Sequence, residues 1–198
     1  MNSFLDQIQN NPIEWSVLFI LIVGLIYAAY VIKNEKRTYL ETAIPLSFKH
    51  FDFKIPSWWT NTSSDEEVLV FERTDTYYDW KAHFRWFPFK DGDESKELKT
   101  AFAEIIKDKQ IVFDSDTSVV KNPSDFKAHQ VFKDEEPDMI RVEGTATQDM
   151  QDRIYYDAFL IRDKKQKGFL FCESRSSILN GMLEGPYFEE VLLSVKKS

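Results

Sequence analysis

The residues with most chemical potential lie in Ile111-Val112-Phe113-Asp114-Ser115-Asp116-Thr117, where two carboxylates stand one residue apart behind a short apolar run. Phosphatases that pass through an aspartyl phosphate use that spacing: one carboxylate is the nucleophile, the other the acid/base, and magnesium sits between them. Such an enzyme also needs a parallel βαβ sheet with a lysine and further carboxylates at later strand ends. The residues after Asp116 alternate like hairpins instead, so a solvated turn is the simpler reading. Asp114 and Asp116 are the only pair an enzymatic reading can nominate.

Other constellations offer less. His50, His83 and His129 fall on separate candidate strands, and a zinc site would need them to converge in space. Cys172 is the single cysteine, which excludes an intramolecular disulfide and a cysteine-based zinc site. Placed between Phe171 and Glu173, it reads as a buried thiol. No glycine-rich phosphate loop, serine elbow or His-Glu-x-x-His string occurs. Asp134-Glu135-Glu136-Pro137-Asp138 lacks the ligand spacing and glycine of a calcium loop and reads as a solvated turn. Asn61-Thr62-Ser63 fits the glycosylation pattern, which matters only in a secretory lumen. Neither a catalytic residue, a metal nor a cofactor is implied.

The aromatic residues are the remaining candidates. Trp80, Phe84 and Trp86 share one face of a strand and are expected in the core. Adjacent Trp58 and Trp59 must point to opposite sides of an extended chain, so one of them is expected outside that core, free to touch lipid headgroups or a protein partner.

Those residues must be positioned by a chain of 198 residues with a net charge of −8, which argues against nucleic-acid binding because phosphate contacts need a basic surface. Aromatics make up 15% of the chain while glycine and proline are scarce, as suits a sheet-rich domain. Trp15 to Ile32 runs without a charge for about the length that crosses a bilayer as a helix. Asn11-Pro12-Ile13-Glu14 supplies a start signal, with Asn11 as cap and Pro12 in the first turn. The organisation expected is a short tail (1–11), a transmembrane helix (12–32), a juxtamembrane linker (33–43) and one globular domain (44–198). Trp15, Tyr27 and Tyr30 would lie at the headgroup levels. Lys33, Lys36 and Arg37 follow the helix and no Lys or Arg precedes it, so the positive-inside rule puts the domain in the cytoplasm.

From Phe48 the hydrophobic period becomes two. Strands are expected at Phe51–Ile55, Val68–Arg73 and Trp80–Phe87, forming an antiparallel meander, followed by a helix from Glu94 to Lys109 with Leu98, Phe102, Ile105 and Ile106 on one side. Further strands are expected at Phe126–Phe132, Met139–Thr147, Arg153–Arg162 and Phe169–Ser174, and Gly185-Pro186 reads as the start of a last helix. Hairpins with packed helices define an α+β domain with a mostly antiparallel sheet.

A Phe-rich strand ending in Ile55-Pro56-Ser57-Trp58-Trp59, a meander, a helix, hairpins around Ile154-Tyr155-Tyr156-Asp157 and a closing Phe188-Glu-Glu-Val-Leu-Leu-Ser-Val195 together resemble the PsbP/Mog1-type α/β/α sandwich, over about Ile44 to Val195. That resemblance implies a non-enzymatic accessory or assembly protein, often exported, which pulls against the cytoplasmic orientation. The expectation is a single-pass membrane protein that binds the bilayer and a membrane or membrane-associated protein complex through its domain. The alternatives are a membrane-tethered small-molecule or lipid-binding domain and, third, the Asp-dependent enzyme.

Overall fold

The structure, a computed structural model, describes residues 12–126 and 138–197. It divides between Ala43 and Ile44 into two compact units. The first contains helix α1 (Pro12–Thr42), which is long and apolar enough to cross a membrane. Every side chain from Ser16 to Tyr30 is exposed, so that stretch is apolar on all sides, whereas the helix turns polar after Ile32 and buries Tyr39. Residues 33–42 of the expected 33–43 linker are helical too. Nothing there breaks a helix: Arg37 pairs with Glu41 one turn on at 3.8 Å and donates to Asn34 at 2.8 Å.

The second unit holds two sheets in which every pairing among the described residues is antiparallel. β1 (Ile44–Phe48), β2 (Phe51–Ile55) and β11 (Lys196–Lys197) form a small sheet in the order β1-β2-β11. The expected meander therefore loses its first strand: β2 pairs with β1 and the chain's C-terminal strand, while β4 (Val68–Glu72) and β5 (Lys81–Pro88) pair with each other. The large sheet also contains β3 (Thr60–Asn61), β6 (Ile111–Phe113), β7 (Val119–Lys121), β8 (Met139–Gln148), β9 (Asp152–Asp163) and β10 (Gly168–Ser176). Its order is β3-β4-β5-β10-β9-β8-β6, with β7 also on β8. Of the expected Phe126–Phe132 strand, Phe126 closes a 3-10 turn (Pro123–Phe126) and the rest lies outside the described residues, as do His129 and most of the acidic group at 134–138.

Strand alternation gives the large sheet two apolar faces. On one, Phe84, Phe159, Leu170 and Cys172 pack against the small sheet's Phe51 and Phe53 and against Phe188, Val191 and Leu192 of helix α3 (Ile178–Leu193). On the other, Ala158, Leu160 and Phe171 meet Leu98, Phe102 and Ile106 of helix α2 (Leu98–Asp108). α2 begins later than the expected Glu94 because residues 90–96 form a turn, in which the Asp93 carboxylate accepts from the Lys90 amide at 2.8 Å.

α3 begins seven residues before the expected Gly185-Pro186 start and runs through Pro186. An interior proline costs a helix about 3 kcal/mol. Complete burial of Phe188, Val191 and Leu192 offsets that cost. Gly181 belongs to the same packing: a Cβ there would come within 2.5 Å of the Tyr155 side chain, so α3 can seat on β9 only without one.

Candidate functional site

The two tryptophans of the Trp58-Trp59 pair diverge. Trp59 is buried, its ring 4.4 Å from Trp80 and 5.9 Å from Phe71, and its indole N–H donates to the Glu184 carboxylate on α3 at 3.0 Å. Trp58 is half-buried, edge-on to Tyr187 at 5.0 Å, with the Arg73 guanidinium 5.9 Å from its ring. Trp58 thus packs on the same core that holds Trp59, contrary to the expectation that one of the pair would lie outside it, because Tyr187 of α3 covers its ring edge.

Arg73 connects this pair to its surroundings. It donates to Asp75 through Nε at 2.7 Å and Nη2 at 3.0 Å, pairs with buried Glu184, and stacks on Tyr78 at 5.6 Å. Burial works against its charge, but the hydrogen bond to Asp75 and the charge of Glu184 outweigh it, so its pKa rises. Asp79 fastens the same loop to α3. Its carboxylate accepts from the Ser177 amide at 2.8 Å, the Ser177 hydroxyl at 3.1 Å and the Asn180 amide at 2.7 Å, capping the helix from outside its own sequence. Partial burial opposes ionisation of Asp79, yet these hydrogen bonds hold its pKa below the ordinary value.

Large apolar side chains stand in solvent on both sides of this tie. Tyr77 is fully exposed beside half-shielded Tyr78, and on the helix the loop is tied to, Leu179 and Leu183 stand one turn apart with 77% and 51% of their surfaces in solvent. None of these four was a candidate from sequence. A signal existed: Ser177 precedes Ile178 as a helix cap would, and Leu179 and Leu183 have helical spacing. Gly181 and Gly185-Pro186 concealed it.

The catalytic candidates have structural partners. Asp114 Oδ2 accepts from the Thr145 hydroxyl at 2.5 Å and pairs with Arg153 at 2.8 Å, pinning the turn between β6 and β7 onto β8. Asp116 accepts only from the neighbouring Ser115 hydroxyl at 3.0 Å among the described residues. His50 sits edge-on to Trp86 at 5.4 Å, while His83 lies on β5 with Nδ1 3.7 Å from Glu173. Burial lowers the His83 pKa against the pull of Glu173. Burial also pushes the Cys172 thiol well up, in keeping with an inert core position. Among the described residues no three His, Cys, Asp or Glu side chains gather as a metal site would need.

One buried charge cluster escaped the sequence reading. Arg141 on β8 grips Asp157 on β9 bidentately at 2.9 and 2.8 Å, reaches Glu143 at 2.6 Å and lies 2.8 Å from Glu189 on α3. Lys121 closes the group on Glu189 at 2.7 Å. Burial pushes the Asp157 carboxyl up to about 6, against the pull of Arg141. Through Glu189 the cluster fastens α3 to the sheet.

On α1, Trp15 is half-exposed, and Tyr27 and Tyr30 are exposed with 68% and 67% of their surfaces free. Trp15 and Tyr30 are about 22 Å apart along the axis at 1.5 Å per residue. Lys33, Lys36 and Arg37 continue the same helix, so the basic group begins within one turn of Tyr30.

The fold resembles the PsbP/Mog1-type sandwich. Solved structures similar to it include cyanobacterial PsbP (CyanoP) from Synechocystis, with 8% identity, 75% of this chain and 87% of that chain covered and a TM-score of 0.49. The Saccharomyces cerevisiae Ran-binding protein Mog1p matches with 5% identity, 79% and 95% coverage and a TM-score of 0.47. A Bacteroides thetaiotaomicron protein matches at 11% identity over 75% of this chain, which spans only 45% of that one, with a TM-score of 0.46. No family model matches the sequence, and no curated protein does.

Proposed function

We propose that the chain is a single-pass membrane protein whose α+β domain binds an integral or membrane-associated protein, acting as a non-enzymatic accessory or assembly subunit. The observation that carries this reading is the Tyr77, Tyr78, Leu179 and Leu183 surface. Large apolar side chains stand in solvent there on a base fixed by Asp79 and Arg73, and rigid aromatic anchors are what protein interfaces use. A membrane partner is favoured because α1 is apolar on every side from Ser16 to Tyr30 and that stretch needs lipid or other spanning helices around it. The domain lies on the side of Lys33, Lys36 and Arg37, the cytoplasmic side by the positive-inside rule.

The test is purification of the full chain in mild detergent beside a Tyr77→Ser/Leu183→Ser variant. The reading expects one stoichiometric membrane protein with the wild type and its loss with the variant at unchanged thermal stability. A partner that stays with both, or none with either, overturns it. Orientation is checked by protease on intact cells, where residues 44–198 should survive until the membrane is broken.

A second reading, a small-molecule or lipid-binding domain held near the bilayer, has its own support in a cleft on the opposite side of the large sheet.

A further inference from the structure

α2 covers only part of its sheet face, and between it and β5 lies a cleft of about 510 Å³. This is within the range of small-molecule sites. Its floor is aromatic: Phe87, Phe89 and Phe169 line it, with the Phe89 and Phe169 rings 4.8 Å apart. Ala101 and Ile105 form the apolar part of the helix wall.

The charges on the rim sort by partner. Lys96 is neutralised within the protein by Asp93 at 2.9 Å and Glu104 at 2.8 Å, and Lys109 by Glu173 at 2.6 Å. Arg85, on β5, and Lys90, at the start of the turn that follows it, form no ion pair among the described residues. Opposite them only Asp108 is left without an ion pair among those residues. The Arg85 guanidinium lies 5.8 Å from the Phe87 ring, which stations its charge at the border of the apolar floor. In a chain of net charge −8, two unpaired cations beside three phenylalanines make a local environment of opposite sign to the rest.

We propose that this cleft binds a small amphipathic carboxylate, its alkyl or aryl body on Phe87, Phe89 and Phe169 and its anionic head between Arg85 and Lys90. The apolar floor supplies burial, and the cations supply charge-assisted hydrogen bonds that select an acid over an alcohol of the same length. The inference belongs to the second reading above and does not depend on the partner surface.

The test uses the full chain in phosphatidylcholine nanodiscs, titrated calorimetrically with decanoate, with empty discs subtracted. One decanoate should bind per chain, and decanol at least about tenfold more weakly, as expected when a charge-assisted contact is lost. Arg85→Gln/Lys90→Gln should lose at least about tenfold in affinity, since neutral amides replace both cations. Ile105→Trp, which fills the cleft, should abolish binding, and decanoate should raise the thermal midpoint of the wild type but not of the double variant. Tyr77→Ser/Leu183→Ser should bind normally, so failure of the partner reading and failure of this one give different results. Heat no greater than that of empty discs, equal affinity for decanol, or unchanged affinity in the double variant overturns the proposal.

Discussion

The two faces of the large sheet are built from the same alternating strands and are closed differently. One is roofed by α3 together with a second sheet, and a cation is buried beneath that roof: Arg141 among Asp157, Glu143 and Glu189. The other is roofed by an eleven-residue helix, and there the buried charge is an acid, Glu173, held by Lys109 at 2.6 Å and by the Tyr156 hydroxyl. The sealed face spends its polar groups on itself, while the half-open face leaves Arg85, Lys90 and an aromatic floor accessible. The structural burden thus falls on the α3 side, whose outer surface can carry Tyr77, Tyr78, Leu179 and Leu183 because its inner surface is fixed.

If that contrast is right, the largest effect is at Arg141. Arg141→Met leaves Asp157 with two further acids and no cation in contact, so it should cost about 3–5 kcal/mol, the usual penalty for breaking a buried pair. Glu173→Gln on the half-open face should cost about 1–3 kcal/mol, since Lys109 can turn to solvent. Urea unfolding followed by tryptophan fluorescence measures both, and equal costs would remove the contrast. Next comes Gly181→Ala, expected to cost about 1–3 kcal/mol by overpacking against Tyr155, although alanine is the better helix former. The double variant Gly181→Ala/Tyr155→Ala should cost less than the sum of the two single changes.

The pH dependence of the sealed face is a subtler check. Asp157 ionises near 6 in the fold, above its ordinary 3.8, so between these values the folded chain keeps a proton that the unfolded chain has released. The contribution of this group to stability is full below about pH 4 and falls as pH rises through about 6. Wild-type stability relative to Asp157→Asn should decline across that window, and parallel curves would contradict the assignment. Asp79→Ala, which removes the cap on α3, should cost about 1 kcal/mol. The smallest expected change is Arg85→Gln/Lys90→Gln, within about 0.5 kcal/mol per site because both residues are exposed.

Local pattern reached much of this. Two-residue alternation located β5, β8, β9 and β10, and 3.6-residue spacing located α2 from Leu98, Phe102 and Ile106. In the separate sheet, the β1–β2 hairpin is local but its first strand follows directly on the segment expected as linker, and the third strand, residues 196–197, is too distant for any local signal to specify. α3 was read too short because Gly185-Pro186 resembles a helix start, whereas Gly181 is small to accommodate Tyr155 inside a helix that runs through both. The site was harder still. Trp58 and Trp59 stood out by type, but the exposed surface depends on Asp79 reaching Ser177 and Asn180 about a hundred positions away. Arg141 carries no local signal of its role, because its partners Asp157 and Glu189 lie 16 and 48 positions away in sequence.

The most direct test of the central claim is site-specific photo-crosslinking in native membranes, with a photoreactive phenylalanine analogue at Tyr77 in one chain and at Glu104, on the cleft side, in another. The account predicts one discrete protein adduct from position 77 that Leu183→Ser suppresses, and none from position 104. Lipid adducts alone from position 77, or the same protein adduct from both positions, would contradict a partner surface built on α3 and the Tyr77 loop.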